Sequence, residues 1–497
     1  MKKYFALLGF LICLTACTQT EKSKNPNVII IYADDLGYGD VSAYEHGTLQ
    51  TPNIDRLAAG GLRFTQGYAT SATCTPSRFS LLTGIYPWRN QRARVLPGDA
   101  PLLIHPDTTT IADIFKNAGY STAVIGKWHL GLGNGSIDWN EEISPNPNDL
   151  GFDYSYIMAA TNDRVPTVYV KNRRVENLSP DDPLYVNYQE NFEGEPTAIS
   201  NPELMTKLKW QHGHNMSVHN GVPRIGFMKG GKPALWTDET MYEVFLNQTF
   251  GFIDQNKEKP FFLYYALHEP HVPRVPNEKF VGKSGMGPRG DAILEADYCV
   301  GQLLDKLETD GLLENTLIVF ASDNGPVLND GYYDDAVEKL GDHTPAGPFR
   351  GGKYSLFEAG TRTPFITYWK GHITPGVSEA MVSQLDLPAS MAALIDQKAP
   401  EYDGNNFLKT FLGKETSGRS ELVQQAIGKL ALRKDNWAYM PPQKGPAVIE
   451  HVNNETGISE EEQLYDLSKD LGEQHNVASE YPEILKMMKE RFETLTK

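Results

Sequence analysis

The chain is short of three things. Only 4 of its 497 residues are cysteine, too few for a disulfide-stapled scaffold. Basic charge is in deficit as well: 46 Lys and Arg stand against 63 Asp and Glu, a net charge of -17. That balance excludes a binder of nucleic-acid phosphate backbones and a basic membrane-binding face. No apolar run approaches transmembrane length, and the stretch from Phe5 to Leu14 is too short to cross a bilayer. What remains, 40% hydrophobic and 22% charged residues, is an ordinary globular composition, which excludes a disordered or collagen-like chain. An acidic chain that accepts an anion must invert its potential locally, with a metal ion or a cluster of Lys, Arg and His.

The first residues read as an address. Lys2 and Lys3 precede the apolar stretch, which ends Leu14-Thr15-Ala16-Cys17. This resembles a bacterial lipoprotein cleavage box, so 1–16 is expected to be a signal peptide, Cys17 the acylated first residue and 17–26 a linker. The expected location is the periplasm or outer membrane, with membrane contact through the lipid anchor only. Cys74 and Cys299 then remain for the folded chain, and export would allow one disulfide between them. Against that, Cys74 sits in a segment that reads as chemistry. Cys299 falls among Leu294, Tyr298 and Leu303 at helical spacing, as a buried small hydrophobe would.

Asn27 to Tyr32 (NVIIIY) is the pattern of a strand buried on both faces, and Phe261 to Leu267 and Leu317 to Ala321 repeat it. A short strand is expected at Ser121 to Ile125. Helical patterns run over Arg78 to Thr83, Thr109 to Ala118 and Asp291 to Leu307. The alternation predicts an α/β/α sandwich around a mostly parallel sheet, in a domain spanning 27–400. Between about 135 and 236 the apolar pattern weakens, and that stretch reads as an insertion over the sheet. Leu430 to Trp437 and Ala447 to His451 read as antiparallel strands and Tyr481 to Thr494 as an amphipathic helix. Together they predict a smaller C-terminal α+β domain with an antiparallel sheet, 401–497.

Asp34-Asp35 directly follows one of these buried strands and Asp323-Asn324 another. Ligands of open α/β sheets lie beyond the carboxyl ends of the strands. Four hard oxygen donors there suit Ca²⁺ or Mg²⁺, although each pair alone also fits ordinary turn chemistry. Thr73-Cys74-Thr75-Pro76-Ser77-Arg78, followed by Leu81-Leu82-Thr83-Gly84, is similar to the signature of the sulfatase family. Gly126-Lys127-Trp128-His129-Leu130-Gly131 is similar to that family's second signature. His268-Glu269-Pro270-His271, Asp323-Asn324-Gly325, Gly351-Gly352-Lys353 and Leu464-Tyr465-Asp466-Leu467 resemble its later motifs, in its order.

The resemblance implies a sulfuric ester hydrolase with an alkaline-phosphatase-like sandwich. In that family a maturation enzyme oxidises the signature cysteine, here Cys74, to formylglycine. One hydroxyl of the hydrated aldehyde attacks the sulfur of a sulfate ester, and the other then expels sulfate. The resemblance also implies Ca²⁺ held by Asp34, Asp35, Asp323 and Asn324 together with the modified Cys74. Arg78 and Lys127 would neutralise the diol and the ester, and His129 would contact the diol. Lys353 and His271 would grip the sulfate, one of them protonating the leaving oxygen.

Sugar recognition must come from other residues. His212, His214 and His219 invite a zinc reading, but their spacing fits no common structural zinc pattern and no cysteine is near. A polar loop roofing the pocket is expected instead, with His214 and His219 among its contacts. The insertion from Asp330 to Arg350 has the length of a functional lid, with Asp334, Asp335, His343 and Arg350 as candidate substrate contacts. His214-Asn215-Met216-Ser217, Arg224-Ile225-Gly226 and Gly287 to Asp291 resemble the carbohydrate branch of the family, near the N-acetylgalactosamine-6-sulfatase type. The expected substrate is a terminal galactose or N-acetylgalactosamine 6-O-sulfate of host or algal glycans. Four alternatives stay open: a galacto-configured 4-O-sulfatase, an N-acetylglucosamine 6-O-sulfatase, a phosphodiesterase or phosphonate hydrolase of the same superfold, and a non-catalytic lipoprotein that captures sulfated glycans.

Overall fold

Asn27–Ala33 is buried at all seven positions and becomes β1, near the middle of a ten-stranded sheet. The structure, a computed structural model, describes residues 25–44 and 47–497. The expected signal peptide, Cys17 and most of the linker lie outside the described residues. The other strands of the sheet are β2 (Leu62–Tyr68), β3 (Ser121–Lys127), β4 (Tyr154–Met158), β5 (Tyr169–Lys171), β6 (Arg174–Val175), β7 (Phe261–Ala266), β8 (Thr316–Ser322), β9 (Phe365–Tyr368) and β10 (Gly376–Ser383). They lie in the order β10-β2-β9-β8-β1-β7-β3-β4-β5-β6. β8, β1, β7, β3 and β4 pair in parallel, so their carboxyl ends open on one edge.

Helices cover both faces. They are α1 (Pro52–Gly60), α2 (Cys74–Thr83), α3 (Ile111–Asn117), α4 (Met241–Asn256), α5 (Gly287–Thr309) and α6 (Leu387–Leu394). Alternate residues of β1 point to opposite layers. Val28, Ile30 and Tyr32 join Leu81, Phe115 and Met391 of α2, α3 and α6. Ile29, Ile31 and Ala33 join Leu57, Phe252 and Ile293 of α1, α4 and α5. Each large apolar side chain so buried contributes roughly 1.5–3 kcal/mol. The result is the alkaline-phosphatase-like α/β/α sandwich, and its double burial is why β1 reads as one unbroken apolar run.

Two expectations are corrected. The stretch from 135 to 236 does not merely cover the sheet, because β4 closes its parallel part and β5 and β6 extend it antiparallel. β4 is only five residues long and stands in polar surroundings, which hides its buried Ile157 and Met158. In the C-terminal region, Leu430 to Trp437 is not one strand. Asp435 turns the chain there with φ 50°, splitting β12 (Lys429–Lys434) from β13 (Trp437–Met440). With β11 (Glu421–Ala426) and β14 (Gln463–Asp466) these form a four-stranded antiparallel sheet. Val448–Ile449 instead pairs with Asn454–Glu455 in a separate ribbon. The last helix, α7 (Pro482–Thr496), buries Met488 against Leu432 and Tyr439 of that sheet. Cys74 and Cys299 are both free and buried. Among the described residues no helix is long and apolar enough to cross a membrane.

Candidate active site

Because five neighbouring strands run the same way, the residues that follow them meet at one edge. The register of β1 and β8 sets Ala33 against Ser322, which brings Asp34 and Asp35 beside Asp323 and Asn324. Lys127 ends β3, and His271 lies on the turn after β7. All of these side chains are buried. Cys74 is the first residue of α2, entered from an extended Thr73 at φ -150°.

Asp34 Oδ2 accepts from Lys127 Nζ at 2.5 Å, and Asp35 Oδ2 from Lys353 Nζ at 2.9 Å. Asp35 Oδ1 accepts from Asn324 Nδ2 at 2.7 Å. Asp323 Oδ2 accepts from Arg78 Nε at 3.0 Å and Nη2 at 2.8 Å, and its Oδ1 accepts from the Asp35 amide. Two oxygens are left over: Asp34 Oδ1 and Asn324 Oδ1 are buried with no hydrogen-bond partner. Leaving such atoms empty-handed costs about 1–3 kcal/mol each. Burial drives the Asp34 carboxyl well above its ordinary range, and Asp323 and Asp35 add to this against the opposing Lys127. Asp35 sits at φ 63°, a backbone conformation that a non-glycine residue adopts at a cost. Crowded, strained, hard oxygen donors with unspent lone pairs fit a divalent cation of the Ca²⁺ or Mg²⁺ kind.

Around Cys74 the chemistry is neutral. Its Sγ lies 3.3 Å from His129 Nδ1, while His129 Nε2 lies 2.9 Å from the Leu96 carbonyl. A carbonyl only accepts, so Nε2 carries the proton and Nδ1 is the bare acceptor facing the thiol. Thr75 Oγ1 donates to the His129 carbonyl at 2.9 Å and holds that residue, itself at φ 54°, in place. Burial pushes the His129 imidazolium well below its usual range, with Lys127 adding to the effect. Burial likewise raises the Cys74 thiol, against the pull of Lys127 and Lys353. A buried, protonated thiol beside a neutral imidazole is a poor nucleophile.

Lys353 Nζ also donates to Asp330 Oδ2 at 2.9 Å. Its ammonium loses hydration on burial, yet Asp330 and Asp35 raise it well above the ordinary range. His271 donates from Nδ1 to the Val272 carbonyl at 2.6 Å, leaving Nε2 bare 3.9 Å from Asp35 Oδ2. Burial, then Lys353 and Lys127, keep it neutral. Arg78 is spent on the protein: beyond Asp323 it reaches the Lys127 carbonyl and the Tyr264 hydroxyl, both at 3.2 Å.

Of the six expected sugar contacts, the structure places only His214 near this edge. Its Nε2 meets Asp163 Oδ2 at 2.9 Å, and Asp163 in turn holds Arg164 at 2.7 Å. Asp163 falls well below its ordinary range because Arg164, His214 and His271 together outweigh its burial. Burial works against the Arg164 guanidinium, but Asp163 above all, and Cys74 among others, hold it above its ordinary range. Asp163, Arg164 and Asp330 are site residues that the sequence reading misses. The signal is there, since Thr161-Asn162-Asp163-Arg164 follows β4 as Asp34-Asp35 follows β1. The other five have protein partners of their own. His219 Nδ1 lies 2.9 Å from Thr167 Oγ1, and Asp334 pairs with Arg274 at 2.9 Å. Asp335 pairs with Lys339 at 2.8 Å on the surface. His343 Nε2 meets Asp40 at 2.9 Å in a buried cluster with Arg289, and Arg350 binds Glu455 and the Glu473 carbonyl, both at 2.7 Å.

The Sulfatase family profile matches residues 26–397. The chain is 47% identical to a curated N-acetylgalactosamine-6-O-sulfatase of Bacteroides thetaiotaomicron, over 100% of this chain and 99% of that protein. It is 32% identical to human arylsulfatase A, over 94% of this chain and 87% of that one. A solved structure from work on the metabolism of multiple glycosaminoglycans by Bacteroides thetaiotaomicron superimposes with a TM-score of 0.94 at 48% identity, covering 95% of this chain and 100% of its own. A match that runs from β1 past α6, and a likeness that continues through the C-terminal sheet, leave one conclusion: the chain belongs to the sulfatase family and is a sulfuric ester hydrolase.

Proposed function

We propose that the protein removes the 6-O-sulfate from a terminal N-acetylgalactosamine or galactose of a sulfated glycan. The full-length similarity to an N-acetylgalactosamine-6-O-sulfatase supports the sugar. The observation that carries the chemistry is Cys74, held at the start of α2 against a neutral His129. A thiol so held is a poor nucleophile, and its place among Lys127, Lys353 and His129 makes sense as that of a precursor, matured to formylglycine by a partner enzyme. Formylglycine at position 74 would supply a geminal diol as nucleophile, and Asp34, Asp35, Asp323 and Asn324 would hold a Ca²⁺ that supplies Lewis acidity to the sulfate.

The remaining steps belong to this chain's own side chains. His129 Nδ1, an acceptor aimed at position 74, takes the proton from a hydroxyl there. Lys353 uses two of its three N–H groups on Asp35 and Asp330 and offers the third to the ester oxygen that leaves. His271, bare at Nε2, accepts a hydrogen bond or holds the proton after the bond breaks. Arg78 positions Asp323, while Arg164 bonds the sugar hydroxyls and Asp163, itself met by His214, positions Arg164. The same reading has the protein exported and anchored through Cys17, on the strength of the Leu14 to Cys17 pattern.

The test is sulfate release from N-acetylgalactosamine 6-sulfate, its 4-sulfate and N-acetylglucosamine 6-sulfate. A site that bonds the axial hydroxyl favours the first over its epimer by roughly a hundredfold or more in kcat/KM. Faster cleavage of the glucosamine ester overturns the sugar assignment. Binding without turnover, in protein whose Cys74 has been converted, overturns the enzymatic reading.

A further inference from the structure

A second buried cluster lies in the α5 layer and has no part in the chemistry above. His268 and Glu269, which follow β7 closely, meet Glu295 of α5, and one ligand atom from each lies within 4.8 Å of the others. The three residues are 6%, 3% and 2% exposed. His268 Nδ1 and Glu269 Oε1 are 3.2 Å apart, yet neither makes a hydrogen bond. Both atoms are therefore buried side by side with hydrogen-bonding capacity unspent.

The charge does not balance. Among the described residues no lysine or arginine lies within ion-pair distance of Glu269 or Glu295, and His268 is the sole such partner of Glu269. Lys279, the nearest cation to act on Glu295, has its ammonium 3.1 Å from the centre of the Tyr298 ring. Two buried carboxylates then face one imidazole, an arrangement that is costly unless a proton or a cation intervenes.

We propose that His268, Glu269 and Glu295 form a second metal site that takes a divalent first-row transition ion, with Zn²⁺ as its type. One imidazole nitrogen with two carboxylates matches that class of ion; at the strand ends Asp34 and Asp35 also lie beside His271, but there Asp323 and Asn324 add further hard oxygens. The two donor sets share no residue. The ion ties the end of β7 to α5 and so fixes the turn that carries His271, two residues after Glu269. It is a positioning device, which leaves the chemistry at Cys74 unchanged.

The experiment uses the full chain, stripped with chelator, loaded with Ca²⁺ and excess Zn²⁺, desalted, and analysed for both elements. Wild type is expected to retain one zinc per chain, and Asp34→Asn to retain it as well. Glu295→Gln, which keeps the shape and removes the charge, is expected to lose it. Cobalt loaded in place of zinc gives visible d–d bands in wild type that Glu295→Gln lacks. Zinc should raise the Tm of stripped wild type and leave that of Glu295→Gln unmoved. If Glu295→Gln does not fold, His268→Gln takes its place, and the wild-type zinc content is read against Asp34→Asn. Wild type without zinc, or zinc that persists in both variants, overturns the proposal in favour of a protonated Glu295.

Discussion

Asp34 and Asp335 are both aspartates in charged company, but their surroundings are built differently. At the strand ends, Asp34 Oδ1 and Asn324 Oδ1 are buried and unpartnered, although Lys127, Arg78 and Lys353 stand around them. Along the loop after β8, the charged side chains expected to face a sugar are matched by protein instead. Asp334 meets Arg274, Asp335 meets Lys339, His343 meets Asp40 and Arg350 meets Glu455. The contrast separates a binding site from a brace. The site leaves carboxylate and amide oxygens of its own unspent in a buried place, whereas in the brace every carboxylate is matched by a cation or an imidazole.

The largest effect expected at the site is that of Cys74→Ala. Turnover of any sulfate ester should fall roughly a thousandfold or more. The Tm should barely move, since the side chain is small and serves chemistry. A variant that retains activity breaks the comparison at its strongest point.

On the side of the brace, Arg289→Met should act on folding alone. It strands Asp40 buried beside His343, at a cost of about 3–5 kcal/mol. Denaturant unfolding reads that loss, and kcat per folded molecule should hold. An equal loss of kcat would move this cluster from brace to site.

Metal removal comes next. Exhaustive chelation should abolish activity and lower the Tm, and Ca²⁺ should restore activity and raise the Tm again. A ligand at a hundredfold over its Kd stabilises by about 2.7 kcal/mol, a shift that calorimetry resolves.

Acidification should reveal His219. Burial, then Arg224, push its imidazole down to about 3, against about 6.5 in an unfolded chain. The unfolded state therefore binds the extra proton first as pH falls. The stability tied to this residue is complete above about pH 6.5 and drains away toward pH 3, with a slope of up to about 1.4 kcal/mol per pH unit. His219→Asn should flatten that part of the stability curve. The smallest effect is that of Asp335→Ala, whose exposed partner leaves stability within about 0.5 kcal/mol and kcat/KM unchanged.

The same contrast explains which parts of the molecule are legible in the amino-acid sequence alone. β1 and β8 are buried on both faces, so their apolar runs are unbroken, and Asp34 and Asp323 stand out as the first polar residues after them. The Cys74 and Lys127 motifs are local in sequence and are legible for that reason. β4 is not, because five residues in polar surroundings carry too little pattern, and Asp163 and Arg164 are hidden with it. The roles of the loop are illegible for another cause. His343 is paired with Asp40, 303 positions away, and no local pattern shows which distant carboxylate will claim an imidazole. Arg78 is visible as a cation but not as the brace of Asp323, for the same reason of distance.

The mass of the peptide spanning Thr73 to Arg78, taken from preparations whose kcat has been measured, tests the central claim most directly. The account predicts that active protein carries an aldehyde oxygen where the Cys74 sulfur was. It also predicts that the converted fraction rises and falls in proportion to kcat across preparations. Full turnover from protein in which Cys74 is entirely a thiol would contradict it.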